Sequence, residues 1–594
     1  MRITVLFFQL CLTLWAHDVA AQTKVYDVVF NGGHVIDPET NLSKKLNVGI
    51  IKNKIVSIST TRLKGKKEID IAGFVLSPGF IDLLNGNQSR ALNEYQVFDG
   101  VTTAIQSEAG VSSIENYIYE KRNHSLVNYG AVVGYYSKRY EALSPWKKQD
   151  AIVDTASMND QELQKMKTLM KEEIMRGCIG IGIPAGYALA LSSKQQFEIF
   201  KTASELSVPV FTHIREEKIS AIQQAISDAV LTGTSLHIHH INSSTREDVA
   251  LALEMVETAQ KRGFDITTDI YPYTAAGTNI GTPVFDSGWQ QRLGINYHDL
   301  QWAETGERLT KESFEVFRKK GGRVIMHMMR PEWITMAMKS NVTMIISDGI
   351  TPTTRFLHPR IAGTYSRVLG KYVREEKALT LMDALKKMTI MPAKRLEKVA
   401  PAMKKKGRIQ LGCDADITVF DPNSIIDKAT YEQGLKFSEG IKYVMVNGTL
   451  VVDNSKLVNN VFPGQPILRE SAAWFDTAGL KISHPQLFDL VKAINKHYEN
   501  VSKKVGIKLQ PSWQLLNRFG KAYLNNNMPE KAYQLFKLNL DNYPEIENVY
   551  ISMGDYYVKV GDKSKAIEFY ESSLKIYDDP EVRSLIQKIR NDNK

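Results

Sequence analysis

Cysteine is nearly absent: three residues in a chain of 594, at positions 11, 178 and 413. At most one disulfide is available once the leader is removed, so a disulfide-stapled scaffold is excluded and the fold must stand on its core. Long apolar runs are also missing. The only pronounced one, Ile3 to Ala16, follows Arg2 and is too short to span a bilayer as a helix. With the small residues Val19-Ala20-Ala21 after it, this segment is predicted to be a signal peptide over residues 1–21. Cys11 lies within the run without the small residues that precede a lipidated cysteine. The mature chain is therefore expected to be secreted or periplasmic, with no membrane span. Charge of one sign is not concentrated anywhere. Seventy-five Lys and Arg against 65 Asp and Glu give +10, spread along the chain, so no nucleic-acid-binding patch is expected.

What is present is a hydrophobic fraction of 43%, enough for several domains. Short β-rich runs (Tyr26–Phe30, Val48–Ile51, Ile55–Ile58) return far downstream as Ala415–Phe420, Ile441–Val446 and Leu450–Val452. Two such flanks predict one small sheet domain assembled from residues 22–76 and 397–466 around an insert. Within the insert, residues 77–396, short apolar runs alternate with helical stretches. Val208–Thr212, Leu236–His240, Phe264–Asp269, Arg323–His327 and Val342–Ser347 each read as a buried parallel strand. The fold class is thus α/β, a barrel whose chemistry sits at the strand C-termini.

The last segment, residues 475–594, follows another rule. Gly520, Tyr523, Ala532, Phe536 and Tyr543 recur as Gly554, Tyr557, Ala566, Tyr570 and Tyr577, each 34 positions on. That is the tetratricopeptide period, with a helix over Pro485–Val501 expected to cap the two repeats. Such an all-α tail either recruits a protein partner or packs as an appendage, and it is expected to fold as a separable unit.

Four of the twelve histidines fall between 213 and 240, and two of them, His213 and His240, end predicted strands. Barrel strand ends converge, and neutral imidazole is the commonest zinc donor. Asp348 ends a third strand, where a general acid or base belongs, and Glu108 closes an earlier one. These residues point to a metal-assisted hydrolase.

Eight motifs then follow in order: Ser77-Pro-Gly-Phe-Ile-Asp82, Gly100-Val-Thr-Thr103, Thr212-His-Ile-Arg215, His237-Ile-His-His-Ile-Asn-Ser243, Tyr271-Pro-Tyr273, Ser347-Asp-Gly349, His358-Pro-Arg360 and Gly412 to Asp421. Together they resemble the amidohydrolase superfamily, in its D-aminoacylase branch, over about Tyr26 to Pro466, which implies a (β/α)8 TIM-like barrel beside a small β-sandwich built from both flanks. A stretch similar to Thr-Ala-x-x-x-Glu-Ala-Gly is shared with the D-glutamate deacylase-like members. The resemblance implies hydrolysis of a small-molecule N-acyl-D-amino acid, with N-acyl-D-glutamate as one such substrate. It implies zinc held by Glu108, His213 and His240, and Asp348 as the proton-transfer residue. Glu108 stands beside Ala109, the position at which D-aminoacylases carry a ligand cysteine. Arg215, Tyr271 and Arg360 are implied on the substrate, the two arginines as a clamp on its α-carboxylate.

One departure stands out. Where the family has Asp-x-His-x-His on the first barrel strand, this chain reads Asp82-Leu-Leu84-Asn-Gly86. Neither Leu84 nor Gly86 has a donor atom, so one zinc per chain is expected rather than two. The same loss supports a second reading, a catalytically impaired paralogue that serves as a ligand-binding or interaction protein.

Overall fold

The computed structural model describes residues 25–86, 89–148, 153–215, 218–349, 357–470, 472–475 and 490–591; the expected signal peptide lies outside them. Among the described residues no helix is long and apolar enough to cross a membrane.

Both flanks build one nine-stranded mixed sheet. The joint is the antiparallel pairing of Val75–Pro78 from the N-terminal flank with Ile417–Phe420 from the C-terminal flank, Leu76 opposite Val419. Alternation along these strands buries Phe30, Val48, Ile50, Leu76, Ile417 and Val419 in a core of their own. Cys178 and Cys413 are both buried and free.

The insert forms eight parallel strands, in order Phe80–Asp82, Val101–Val111, Asn128–Gly134, Ile181–Pro184, Val210–His213, Leu236–Ile238, Ile266–Ile270 and Thr343–Ile345. Its first and last strands are drawn together beyond their ends. The Asp82 carboxylate accepts the Ser347 backbone N–H at 3.0 Å, and the Gly86 N–H donates to the Gly349 carbonyl at 2.7 Å. Buried carboxylate and backbone bonds thus close a nearly complete barrel.

One strand expectation is corrected. Arg323–His327 is not a barrel strand but the centre of a three-stranded antiparallel sheet, between Ala275–Asn279 and Leu300–Trp302. A five-residue apolar run has the same composition in either setting, and only its pairing partners decide which it joins. This small sheet forms one wall of the central cavity.

The tail comprises helices Leu490–Val505, Trp513–Asn525, Pro529–Asn542, Glu547–Val560, Lys563–Leu574 and Pro580–Asn591. The 34-residue spacing has a direct packing cause. A Cβ on Gly520 would lie 2.4 Å from the Phe536 ring, and one on Gly554 would lie 2.4 Å from the Tyr570 ring. Glycine lets each aromatic of the second helix press onto the backbone of the first. The tail also shares a buried interface with the barrel. Buried Glu115, on the barrel helix Ile114–Lys121, accepts the N–H groups of Phe475 (3.1 Å) and Ser512 (3.3 Å) and the Tyr498 hydroxyl. Arg176, also buried, donates to the Gln510 carbonyl at 2.5 Å, and Tyr119 and Met175 join the tail's apolar core. Separating groups that satisfy one another inside a dry interface is costly.

Candidate active site

The strand that carries Glu108 is irregular where the carboxylate is needed. Gln106 pairs with Ala131 and Val111 with Val133, so residues 107–110 bulge, fastened by the Gln106 side-chain amide on the Gly110 carbonyl at 2.8 Å. A bulge re-aims side chains, and here it turns Glu108 into the barrel mouth. His213 ends its strand beside Gly186, where a Cβ would meet the imidazole at 2.5 Å. His240 lies two residues past its strand with φ +33, and Asp348 three residues past its own with φ +50. Left-handed backbone at both non-glycine positions is local strain of the kind that active sites retain.

These residues meet. Glu108, His213 and His240 each offer a donor atom within 4.8 Å of the others. His213 Nδ1 is 3.2 Å from His240 Nε2, and the two nitrogens are each 3.6 Å from a Glu108 oxygen. Burial alone would raise the Glu108 pKa, but His240 and His213 hold it down at about 2. Burial works against charge on His240 too, yet Glu108 and Asp348 lift it to about 9. His213, buried and beside the positive His240, falls to about 3. Two imidazoles and a carboxylate aimed at one point form a set of three ligands with an open side, as a catalytic zinc requires.

Asp348 faces the same cavity, of about 330 Å³, together with Tyr271, Arg215, Arg360 and the apolar Leu84. Burial raises its pKa against the pull of Arg360. Arg360 Nη1 lies 2.7 Å from the Asp348 carboxylate, and its guanidinium sits 4.8 Å from the Tyr271 ring centroid. The expected carboxylate clamp is therefore modified. Arg360 is 2% exposed and engaged with Asp348, while Arg215 donates to the Leu191 carbonyl at 2.5 Å. Both still line the cavity with further donors.

The chain matches the amidohydrolase family over residues 157–452. The chain belongs to that family. Among curated relatives of this amidohydrolase, N-acyl-D-glutamate deacylase of Alcaligenes xylosoxydans xylosoxydans is 25% identical over 495 residues, 75% of this chain and 97% of the relative. D-aminoacylase of the same organism is 25% identical over 480 residues, 73% and 95%. Among solved structures, N-acyl-D-glutamate deacylase from Bordetella bronchiseptica, complexed with zinc and a phosphonate inhibitor, has a TM-score of 0.67 at 22% identity. It covers 75% of this chain and 100% of its own.

Sequence reasoning missed a second cluster of this amidohydrolase, His237, His239 and Asp269, all fully buried. Asp269 Oδ2 lies 2.7 Å from His237 Nε2 and 2.8 Å from His239 Nδ1, while Oδ1 accepts the His240 backbone N–H. Thr267 and Ser107 occupy the remaining ring nitrogens, at 2.7 and 3.0 Å. Every donor is satisfied and none lines the cavity, so the cluster braces His240 rather than forming a second centre. The signal was available, since Asp269 ends a predicted strand just as Asp348 does. Arg323 was missed because its strand was assigned to the barrel.

Proposed function

We propose that this amidohydrolase hydrolyses the amide bond of N-acyl-D-amino acids, N-acyl-D-glutamate among them, at a centre holding one zinc ion. The observation that carries the reading is the convergence of Glu108, His213 and His240 on one point of a cavity that also holds Asp348. The donor set suits zinc, because two imidazole nitrogens and one carboxylate leave a position open. Zinc there would supply Lewis acidity toward the amide carbonyl and toward water. Leu84 and Gly86 line the cavity where donors for a second ion would stand, which supports a single-metal enzyme. A study of D-aminoacylase describes activation by one metal and attenuation by a second.

The chain's own residues divide the remaining work. Asp348 Oδ takes a proton as water attacks the carbonyl and returns it to the leaving amine nitrogen. Its burial keeps a proton affordable on the carboxyl group, while Arg360 fixes its orientation. Tyr271 presents a buried hydroxyl at the cavity wall, near Ser243, as a donor for the substrate. The apolar residues Leu84, Val284, Leu293, Met326 and Met328 line the same cavity and exclude water.

The test is hydrolysis of N-acetyl-D-glutamate and its L-enantiomer by the zinc-loaded protein. D-selective release of the free amino acid is expected. Zinc binding without turnover of any N-acyl-D-amino acid would favour the impaired-paralogue reading that Leu84 and Gly86 raise. We further propose export through cleavage after Ala21, which N-terminal sequencing of the mature protein checks.

A further inference from the structure

Among the described residues, four guanidinium groups line the cavity, those of Arg215, Arg246, Arg323 and Arg360, against the two carboxylates of Glu108 and Asp348. Three of the four have protein partners. Arg360 pairs with Asp348, Arg215 donates to the Leu191 carbonyl, and Arg246 donates to the Leu293 and Arg292 carbonyls at 2.6 and 2.8 Å. Arg323 is different. It is half-buried at the outer end of the antiparallel wall, opposite Asn279 in the strand register, and its guanidinium makes no hydrogen bond or ion pair among the described residues. Both cavity carboxylates are already engaged, Glu108 by the imidazoles and Asp348 by Arg360.

A guanidinium that has lost part of its hydration and gained no counter-ion is costly unless a ligand supplies one. Burial and the like charge of Arg360 lower the Arg323 pKa and outweigh the attraction of Tyr187 and Asp348. The cavity's surplus of guanidinium over carboxylate suits a substrate with two negative charges rather than one.

We propose that Arg323 is the specificity-determining residue for the amino-acid side chain, holding a second carboxylate of the substrate and so selecting acidic N-acyl-D-amino acids over neutral ones. This rests on the hydrolase reading above and adds the substrate class. The α-carboxylate is left to Tyr271 and the remaining donors of Arg360, near the reacting atoms. The guanidinium fork of Arg323 offers the paired N–H groups that a carboxylate accepts.

The experiment compares N-acetyl-D-glutamate with N-acetyl-D-glutamine, which differ in side-chain charge and little in shape. Wild type is expected to favour the glutamate compound. Arg323→Met should lower kcat/KM for it about 10- to 100-fold, mainly through KM, and leave the glutamine compound within about threefold. Arg323→Lys should restore part of the preference. Equal losses on both compounds, or no loss on either, would overturn the assignment. Calorimetric binding of the same two ligands to wild type and Arg323→Met reads the charge preference without turnover. Charge-selective binding without hydrolysis would sink the hydrolase reading and keep the subsite. Hydrolysis with no charge preference would do the reverse.

Discussion

The Arg360 guanidinium lies 2.7 Å from the Asp348 carboxylate inside the cavity, and both residues come from beyond the last barrel strand. The pairing orients a cavity carboxylate that stands outside the candidate metal-ligand set. It also keeps a buried arginine from standing without a partner.

Asp348→Asn retains the shape and removes the base. It is expected to lower kcat by at least about a hundredfold while zinc content stays unchanged. Turnover equal to wild type would remove Asp348 from the mechanism. Steady-state kinetics beside elemental analysis reads both quantities.

Metal content should be about one zinc per chain. His213→Ala or His240→Ala should abolish binding, because each removes one of only three donors. The double change Leu84→His with Gly86→His should permit a second equivalent. A Cβ at Gly86 would sit 3.2 Å from the Gly349 carbonyl, so only a small shift is needed. Two equivalents in the wild-type protein would refute the single-metal centre.

The tail should not come away cleanly. Truncation after residue 475 would strip Tyr498 and Ser512 from buried Glu115 and expose Tyr119 and Met175. A lower barrel melting temperature and aggregation are expected. The milder Tyr498→Phe should cost about 1.5–3 kcal/mol, the worth of a hydrogen bond to a charged group. An unchanged melting temperature in the truncated protein would show that the two parts are independent.

Asp99 offers a test by pH. It is 2% exposed, and burial pushes its pKa up to about 7 despite hydrogen bonds from Ser366, Tyr365 and Ser438. Between an unfolded value near 4 and this folded value, the folded state binds more protons, so this group's contribution to stability falls as pH rises. The stability deficit of Asp99→Asn relative to wild type should therefore be largest at about pH 4 and shrink progressively by pH 8. A deficit that grows over that interval would give the shift the opposite sign. Thermal melts at matched ionic strength decide.

Much was legible in local pattern. The two β-rich flanks, the barrel repeat, the strand-end His213, His240 and Asp348 and the 34-residue tail period are all features of short segments. Each follows from which side chains a strand or helix must bury. Glu108 was legible as a strand-end carboxylate, but the bulge that aims it into the barrel mouth was not.

Residue identity alone thus determined which donors exist, how the chain divides into sheet, barrel and helical tail, and that Leu84 and Gly86 cannot bind a metal. Tertiary structure decided which groups stand next to one another. It placed Arg360 on Asp348, Asp269 behind His240, Arg323 in the cavity wall and Glu115 beneath the tail. The reason is physical. Burial periodicity acts over neighbouring residues, whereas the partner of a charged or hydrogen-bonding group is set by segments tens to hundreds of residues away.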